Sequence, residues 1–149
     1  MEQRLNYVTL AVADVDRSKA FYVDGLGWEP ALEAPGEVLM IPVGAGLVLS
    51  LWSRAAFAEE VGMPSDGLAP VTLAYNVADE SGVDEAVAQA VAAGAVLVEP
   101  PAHRDWGGYS AYVADPDGYR WEIALNPSEM GLAQVLESQR ALHARRAPR

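Results

Sequence analysis

The chain has no cysteine in its 149 residues. That excludes disulfides, thiolate zinc sites, iron–sulfur clusters and cysteine nucleophiles. It has no long apolar run either. The longest, residues 91–98, is interrupted by Gly94 and falls far short of a membrane span. The opening Met1-Glu2-Gln3-Arg4 lacks the apolar stretch of a secretory leader, so a soluble, cytoplasmic protein is expected. Positive charge is scarce: 10 Lys and Arg stand against 21 Asp and Glu, a net −11. Residues 1–139 hold all 21 acids and six of the bases, so that stretch carries −15. A body this acidic repels phosphate backbones, and nucleic acid is not an expected partner. The last ten residues carry four arginines and no acid, the composition of a solvated, frayed end.

What remains is a globular balance, 51% hydrophobic and 21% charged, in a length that buries a proper core. It is written twice. Residues 7–14 read Tyr-Val-Thr-Leu-Ala-Val-Ala-Asp and residues 71–79 read Val-Thr-Leu-Ala-Tyr-Asn-Val-Ala-Asp. Each alternates like a strand, closes on Asp and leads into a helical stretch. The first helix is expected from an N-cap at Asp16 to Gly27. The second is expected from near Ser81 to Gly94, with Val83, Ala86, Val87, Ala90 and Val91 as its apolar stripe. A strand ending in Glu-Pro follows each helix, at Glu29-Pro30 and at Glu99-Pro100. Hairpins come next. One turns at Gly44-Ala45-Gly46, between strands at 38–43 and 47–52. The other turns at Asp115-Pro116-Asp117-Gly118, between strands at 109–114 and 119–126. Pro second and Gly fourth fit a type I turn. A short helix at 55–61 and a linker at 62–69 separate the halves, and Ser128 is placed to cap a tail helix running to about Ala144. The fold class is therefore α+β. It comprises two βαβββ modules in one chain, residues 1–64 and 65–127, each sheet curled to form a shared cup, with an extra C-terminal helix in 128–149.

Strand alternation sorts the side chains. Tyr119, Trp121, Ile123 and Leu125 form an apolar face against Arg120, Glu122, Ala124 and Asn126. Leu47, Leu49 and Leu51 oppose Val48, Ser50 and Trp52. Val8, Leu10 and Val12 oppose Tyr7, Thr9 and Ala11. Val71, Leu73, Tyr75 and Val77 oppose Thr72, Ala74 and Asn76. The mixed faces carry small polar groups and rings where a solvated face would carry Lys and Glu, which suits a half-dry surface holding a small molecule. Trp52, Trp106, Tyr109 and Tyr112 are the rings placed to grip a flat ligand. Trp28 and Trp121 are assigned to the core. Gly107-Gly108 supplies a bend that aims Trp106 or Tyr109 at the mouth.

With these residues in view, the chain resembles the glyoxalase, bleomycin-resistance and extradiol-dioxygenase superfamily, the vicinal oxygen chelate proteins. The resemblance rests on residues 12–18 (Val-Ala-Asp-Val-Asp-Arg-Ser), on Phe21-Tyr22 and Leu26-Gly27-Trp28, and in the second half on Trp106-Gly107-Gly108-Tyr109-Ser110 and residues 115–122 (Asp-Pro-Asp-Gly-Tyr-Arg-Trp-Glu). It spans about residues 5–127. It implies a divalent-metal site with two ligands per module, falling here on Tyr7 and Ser50 and on Thr72 and Glu122. Only Glu122 is a good ligand, and one carboxylate with hydroxyls is a poor donor set. His103, placed in a loop from Pro100 to Trp106, and His143 in the tail do not complete it. The expectation is no metal and no cofactor.

Glu122 then has two readings. It is a general base or hydrogen-bond partner for a ligand, or an inherited carboxylate paired with Arg104 or Arg120 or hydrogen-bonded to Tyr7 or Thr72. The residues expected to contact a ligand are Tyr7, Thr9, Ser50, Trp52, Thr72, Asn76, Trp106 and Tyr112, with Glu122 as the catalytic candidate. Three functions stay open: a protein that binds a small aromatic or carbonyl-containing molecule in a metal-free cup; a metal-independent isomerase or lyase with Glu122 as base; and a metal-dependent lyase or dioxygenase with other ligands. A homodimer is expected because the sheet edges of such modules need cover.

Overall fold

A computed structural model describes residues 6–63 and 71–146. The chain divides into two compact units, Met1–Gly67 and Leu68–Arg149. Most of the expected linker lies outside the described residues.

The first unit runs β1 (Tyr7–Val12), α1 (Val15–Lys19, continuing as a π-helical stretch Ala20–Gly25), β2 (Leu32–Ala34), β3 (Val38–Val43), β4 (Leu47–Ser53) and α2 (Arg54–Glu60). The second repeats the plan with β5 (Thr72–Val77), α3 (Glu80–Ala92), β6 (Val96–His103), β7 (Tyr109–Ala114) and β8 (Arg120–Leu125), then adds α4 (Glu129–Arg146). The two sheets have the same order, β1-β4-β3-β2 and β5-β8-β7-β6. In each, the first strand lies parallel to the last and the other pairings are antiparallel. The chain is an α+β protein of two βαβββ modules with a C-terminal helix.

Both first helices start earlier than the sequence suggests. Asp14, not Asp16, caps α1: it sits in extended backbone (φ −149°), and its Oδ1 accepts from the Asp16 and Arg17 amides at 2.9 and 3.2 Å. Asp79, not Ser81, caps α3, accepting from the Gly82 amide at 2.8 Å, while the Ser81 hydroxyl donates to the same carboxylate. An N-cap oxygen serves the amides two and three residues on, and in both modules the Asp directly after Val-Ala has that reach. Beyond Lys19 the bonding widens, with the Leu26 amide reaching the Phe21 carbonyl at 3.0 Å. The wider turn lets the adjacent Phe21 and Tyr22 both face inward, their rings edge-to-face at 4.8 Å.

The helix-side faces are the apolar ones. Leu10, Val12, Leu39, Ile41, Leu49 and Leu51 are buried in the first module, and Val113, Ile123, Val83, Val87 and Ala90 in the second. Val91, expected on the α3 stripe, is 44% exposed at the end of the helix, and Tyr75 is 47% exposed because β5 is the edge strand of its sheet. Trp28 packs its ring 5.4 Å from Tyr22; it and Trp121 are partly buried.

Two strands differ from expectation, both around Glu-Pro. Glu29-Pro30 precedes β2 rather than ending it, and β2 turns into β3 through Ala34–Glu37, closed by the Glu37 amide on the Ala34 carbonyl at 3.0 Å. Glu99-Pro100 lies inside β6, which runs on to His103, so His103 ends a strand instead of sitting in a loop. β6 absorbs its two prolines with register shifts between Leu97 and Glu99 and between Glu99 and Ala102.

Candidate functional site

In the first module Tyr7, Thr9, Ser50 and Trp52 share one face, but Ser50 stands beside Thr9, while Tyr7 lies two residues along, beside Val48, and is 55% exposed. Ser50 is buried, and its Oγ accepts from the Trp52 indole N–H at 2.6 Å. Met40 and Pro42 of β3 flank Ser50 and Val48 across the ladder. This face is uncharged, and its deepest polar atom is already engaged.

The second module is built differently. Across β8, Glu122 lies between Ala74 of β5 and Tyr112 of β7. The Tyr112 hydroxyl donates to Glu122 Oε1 at 3.1 Å. Burial first, then the neighbouring Glu122 charge and that hydrogen bond, push the Tyr112 phenol above its ordinary pKa of 10.0. The Glu122 side chain makes no other hydrogen bond among the described residues, so Oε2 has no protein donor there. Its neighbours on that face are the short Ala74, which is exposed, and the short Ala124, which is buried.

Three of the partners expected for Glu122, all in its own module, are elsewhere. Arg104 does not pair with it. Its Nη1 meets Glu99 Oε2 at 3.2 Å, and its Nε and Nη2 donate to the side-chain and backbone oxygens of Ser110, both at 3.0 Å. Arg120 donates to the Gly118 carbonyl at 3.3 Å. Thr72 is exposed and lies beside Arg120, two residues from the position opposite Glu122. Glu99 and Ser110 were not legible as site residues. Val98 is an extra residue in β6 between the pairs Leu97–Val113 and Glu99–Tyr112, and that insertion sets Glu99 opposite Tyr112.

The remaining candidates divide. Asn76 shares the Glu122 face, but its amide donates to Gln134 of α4 at 3.2 Å. Trp106 is 52% exposed, and its ring lies over Gly108, where any Cβ would strike it. Tyr109 does not point with Tyr112. It occupies the opposite face, where its hydroxyl donates to Asp84 of α3 at 3.1 Å and its ring lies 5.1 Å from His103.

A metal finds a poor fit in either module. The first offers a phenol and two hydroxyls, one already taken by Trp52, and the second offers one carboxylate, already accepting from Tyr112, and an exposed threonine. Among the described residues no three His, Cys, Asp or Glu side chains converge in a group able to hold an ion.

The family model for the Glyoxalase/Bleomycin resistance protein/Dioxygenase superfamily matches residues 4–123. The chain belongs to this superfamily. Among solved members, a glyoxalase-related enzyme from Fulvimarina pelagi is 37% identical with a TM-score of 0.78, over 85% of this chain and 90% of its own. A glyoxalase/bleomycin resistance protein/dioxygenase from Nocardioides is 25% identical with a TM-score of 0.70, over 86% and 87%. A lactoylglutathione lyase from Agrobacterium tumefaciens shares the fold at 22% identity, TM-score 0.66, over 84% and 95%. No curated protein matches. In this superfamily member, among the described residues, no helix is long and apolar enough to cross a membrane.

Proposed function

We propose that this glyoxalase-superfamily chain binds a small aromatic or carbonyl-containing molecule on the mixed face of its second module, without a metal, with Glu122 as the polar anchor. The observation that carries this reading is the Tyr112–Glu122 hydrogen bond beside alanines. One carboxylate oxygen is fixed by the phenol. The other is offered to a donor on the ligand, and the short, exposed Ala74 beside it gives a flat ring a low surface to lie on. A hydrogen bond to a charged group contributes about 1.5–3 kcal/mol, roughly a tenfold to hundredfold change in affinity.

The test is calorimetric titration of wild type, Glu122→Gln and Tyr112→Phe with hydroxyacetophenone and hydroxybenzaldehyde, whose hydroxyl donates to the carboxylate, and with acetophenone as the control that lacks a donor, after native mass spectrometry of the freshly purified protein. The expected result is binding by the wild type that weakens at least about tenfold in Glu122→Gln. Equal affinity in both proteins overturns the assignment of Glu122.

A second reading uses the same carboxylate as a base. Glu122 Oε2 takes a proton from the carbon beside a carbonyl, and Tyr112 steadies the carboxyl group through Oε1. The hydrogen bond to Tyr112 favours it, because a general base needs a fixed orientation. Product formation by the wild type, with Glu122→Gln still binding but silent, selects this reading. Binding without product in either form selects sequestration.

A further inference from the structure

Arg104 is held more firmly than a surface arginine needs to be. Its own turn is closed at both ends: the Gly107 amide donates to the Arg104 carbonyl and the Arg104 amide to the Gly108 carbonyl, each at 2.9 Å. The guanidinium then uses three nitrogens on fixed partners. Two address the oxygens of Ser110, a residue only 1% exposed, and the third addresses Glu99. A fork so committed has little left with which to grip an anion, and Glu99 offsets its charge. Its remaining contact is with an aromatic ring: Cζ lies 5.9 Å from the centroid of Tyr112. A cation over a ring face at this distance attracts it. Tyr112 in turn carries the only hydroxyl that reaches Glu122 among the described residues.

We propose that Arg104 is a positioning residue for the Glu122 site, holding the Tyr112 ring so that its hydroxyl stays on Glu122 Oε1 and Oε2 is left to the ligand. The proposal rests on Glu122 as the ligand's anchor. The coupling it asserts, from Arg104 through Tyr112, is present with or without a ligand. A lysine keeps the charge but lacks the planar fork that addresses both oxygens of Ser110, so it separates attraction from geometry.

The charged groups acting on the Tyr112 phenol are Glu122 from β8, Glu99 from β6 and Arg104 itself. The two carboxylates and the hydrogen bond to Glu122 disfavour phenolate while Arg104 favours it, so losing the Arg104 charge and losing that hydrogen bond move the phenol in opposite directions. The measurement is therefore made at neutral pH, where tyrosine and lysine both keep their protons. The ¹³Cζ resonance of labelled tyrosine, which responds to the hydrogen bond on its hydroxyl, is read by NMR, with Glu122→Ala as the reference for a released hydroxyl. Tyr112→Phe identifies which of the six tyrosine signals belongs to Tyr112. Circular dichroism of each variant confirms the fold. In Arg104→Met the Tyr112 resonance moves toward its Glu122→Ala position, and in Arg104→Lys it moves the same way, because charge without the fork does not hold the ring. The signal of Tyr75, on the opposite face of the sheet, stays where it was. An unchanged Tyr112 resonance in a folded Arg104→Met protein overturns the proposal. Should Arg104→Met fail to fold, Ser110→Ala serves instead. It frees Arg104 Nε while keeping every charge, and the resonance moves the same way by less; no movement is again contrary. Titration with hydroxyacetophenone separates the two levels. A shifted Tyr112 resonance with no binding even by the wild type refutes the ligand reading and leaves the Arg104–Tyr112 coupling standing. Wild-type binding with an unshifted resonance does the reverse.

Discussion

The two modules share a strand order, a parallel first-to-last pairing and an Asp cap after Val-Ala, yet their mixed faces have diverged. At the middle of the last strand the first module has a buried serine closed off by Trp52, and the second has a partly exposed glutamate steadied by Tyr112. The apolar helix-side faces are alike because packing requires it there. The opposite faces answer to no such requirement, and the difference between them shows where this fold accepts chemical variation.

Exchanging the two central residues breaks the comparison most sharply. Ser50→Glu places a carboxylate at a buried position whose nearest donor is one indole N–H, and it is expected to cost about 3–5 kcal/mol. The reverse change, Glu122→Ser, removes one hydrogen bond from a partly exposed site and costs about 1 kcal/mol. Urea denaturation of both variants checks this. Equal losses would mean that the two faces are equally dry. A smaller effect comes from the donors. Trp52→Phe leaves a buried hydroxyl without its indole partner and is expected to lower stability by about 1–2 kcal/mol. Tyr112→Phe leaves Glu122 able to find water and lowers it by less than that. Thermal unfolding of the pair ranks them, and a larger loss at Tyr112 would reverse the argument.

The smallest effect concerns a helix start. Hydrogen bonds from Ser81 first, then from the Gly82 amide, hold the Asp79 carboxyl below its ordinary pKa of 3.8. A depressed carboxylate contributes stability that is complete above 3.8 and is lost as the pH falls through the lower folded-state value. Asp79→Asn should therefore flatten the fall of melting temperature as the pH drops below 3.8, with little change at neutral pH.

Much of this architecture is legible in the sequence because alternation and turn chemistry are local. The hairpin at Asp115–Gly118 is one case, with the Gly118 amide on the Asp115 carbonyl at 2.9 Å. The site itself depends on a single residue of register. The sequence starts β8 at Tyr119 and assigns Tyr112 and Glu122 to one cup without pairing them across the ladder. Asp115 instead accepts the Tyr119 amide on Oδ1 at 2.9 Å, which lengthens the loop by one. Ala114 then pairs with Arg120, and Tyr112 meets Glu122. A one-residue slip exchanges faces, and no periodicity within either strand reveals it. The partners the sequence suggests for Glu122 are Arg104, Arg120, Tyr7 and Thr72, while the ladder supplies a neutral phenol ten residues away. In β6 the alternation fails outright, because two prolines and an inserted residue break the period that the reading relies on.

That broken strand has a consequence for the chain in concentrated solution. Val96, Leu97 and Val98 lie on the terminal strand of their sheet and are 65, 44 and 40% exposed, a combination that invites other chains to stack edge to edge. Pro100 and Pro101 have no amide hydrogen to offer an incoming strand, and the kinked register denies it a straight template. The irregularity that delivers Glu99 to Tyr112 thus doubles as a guard against fibrous growth.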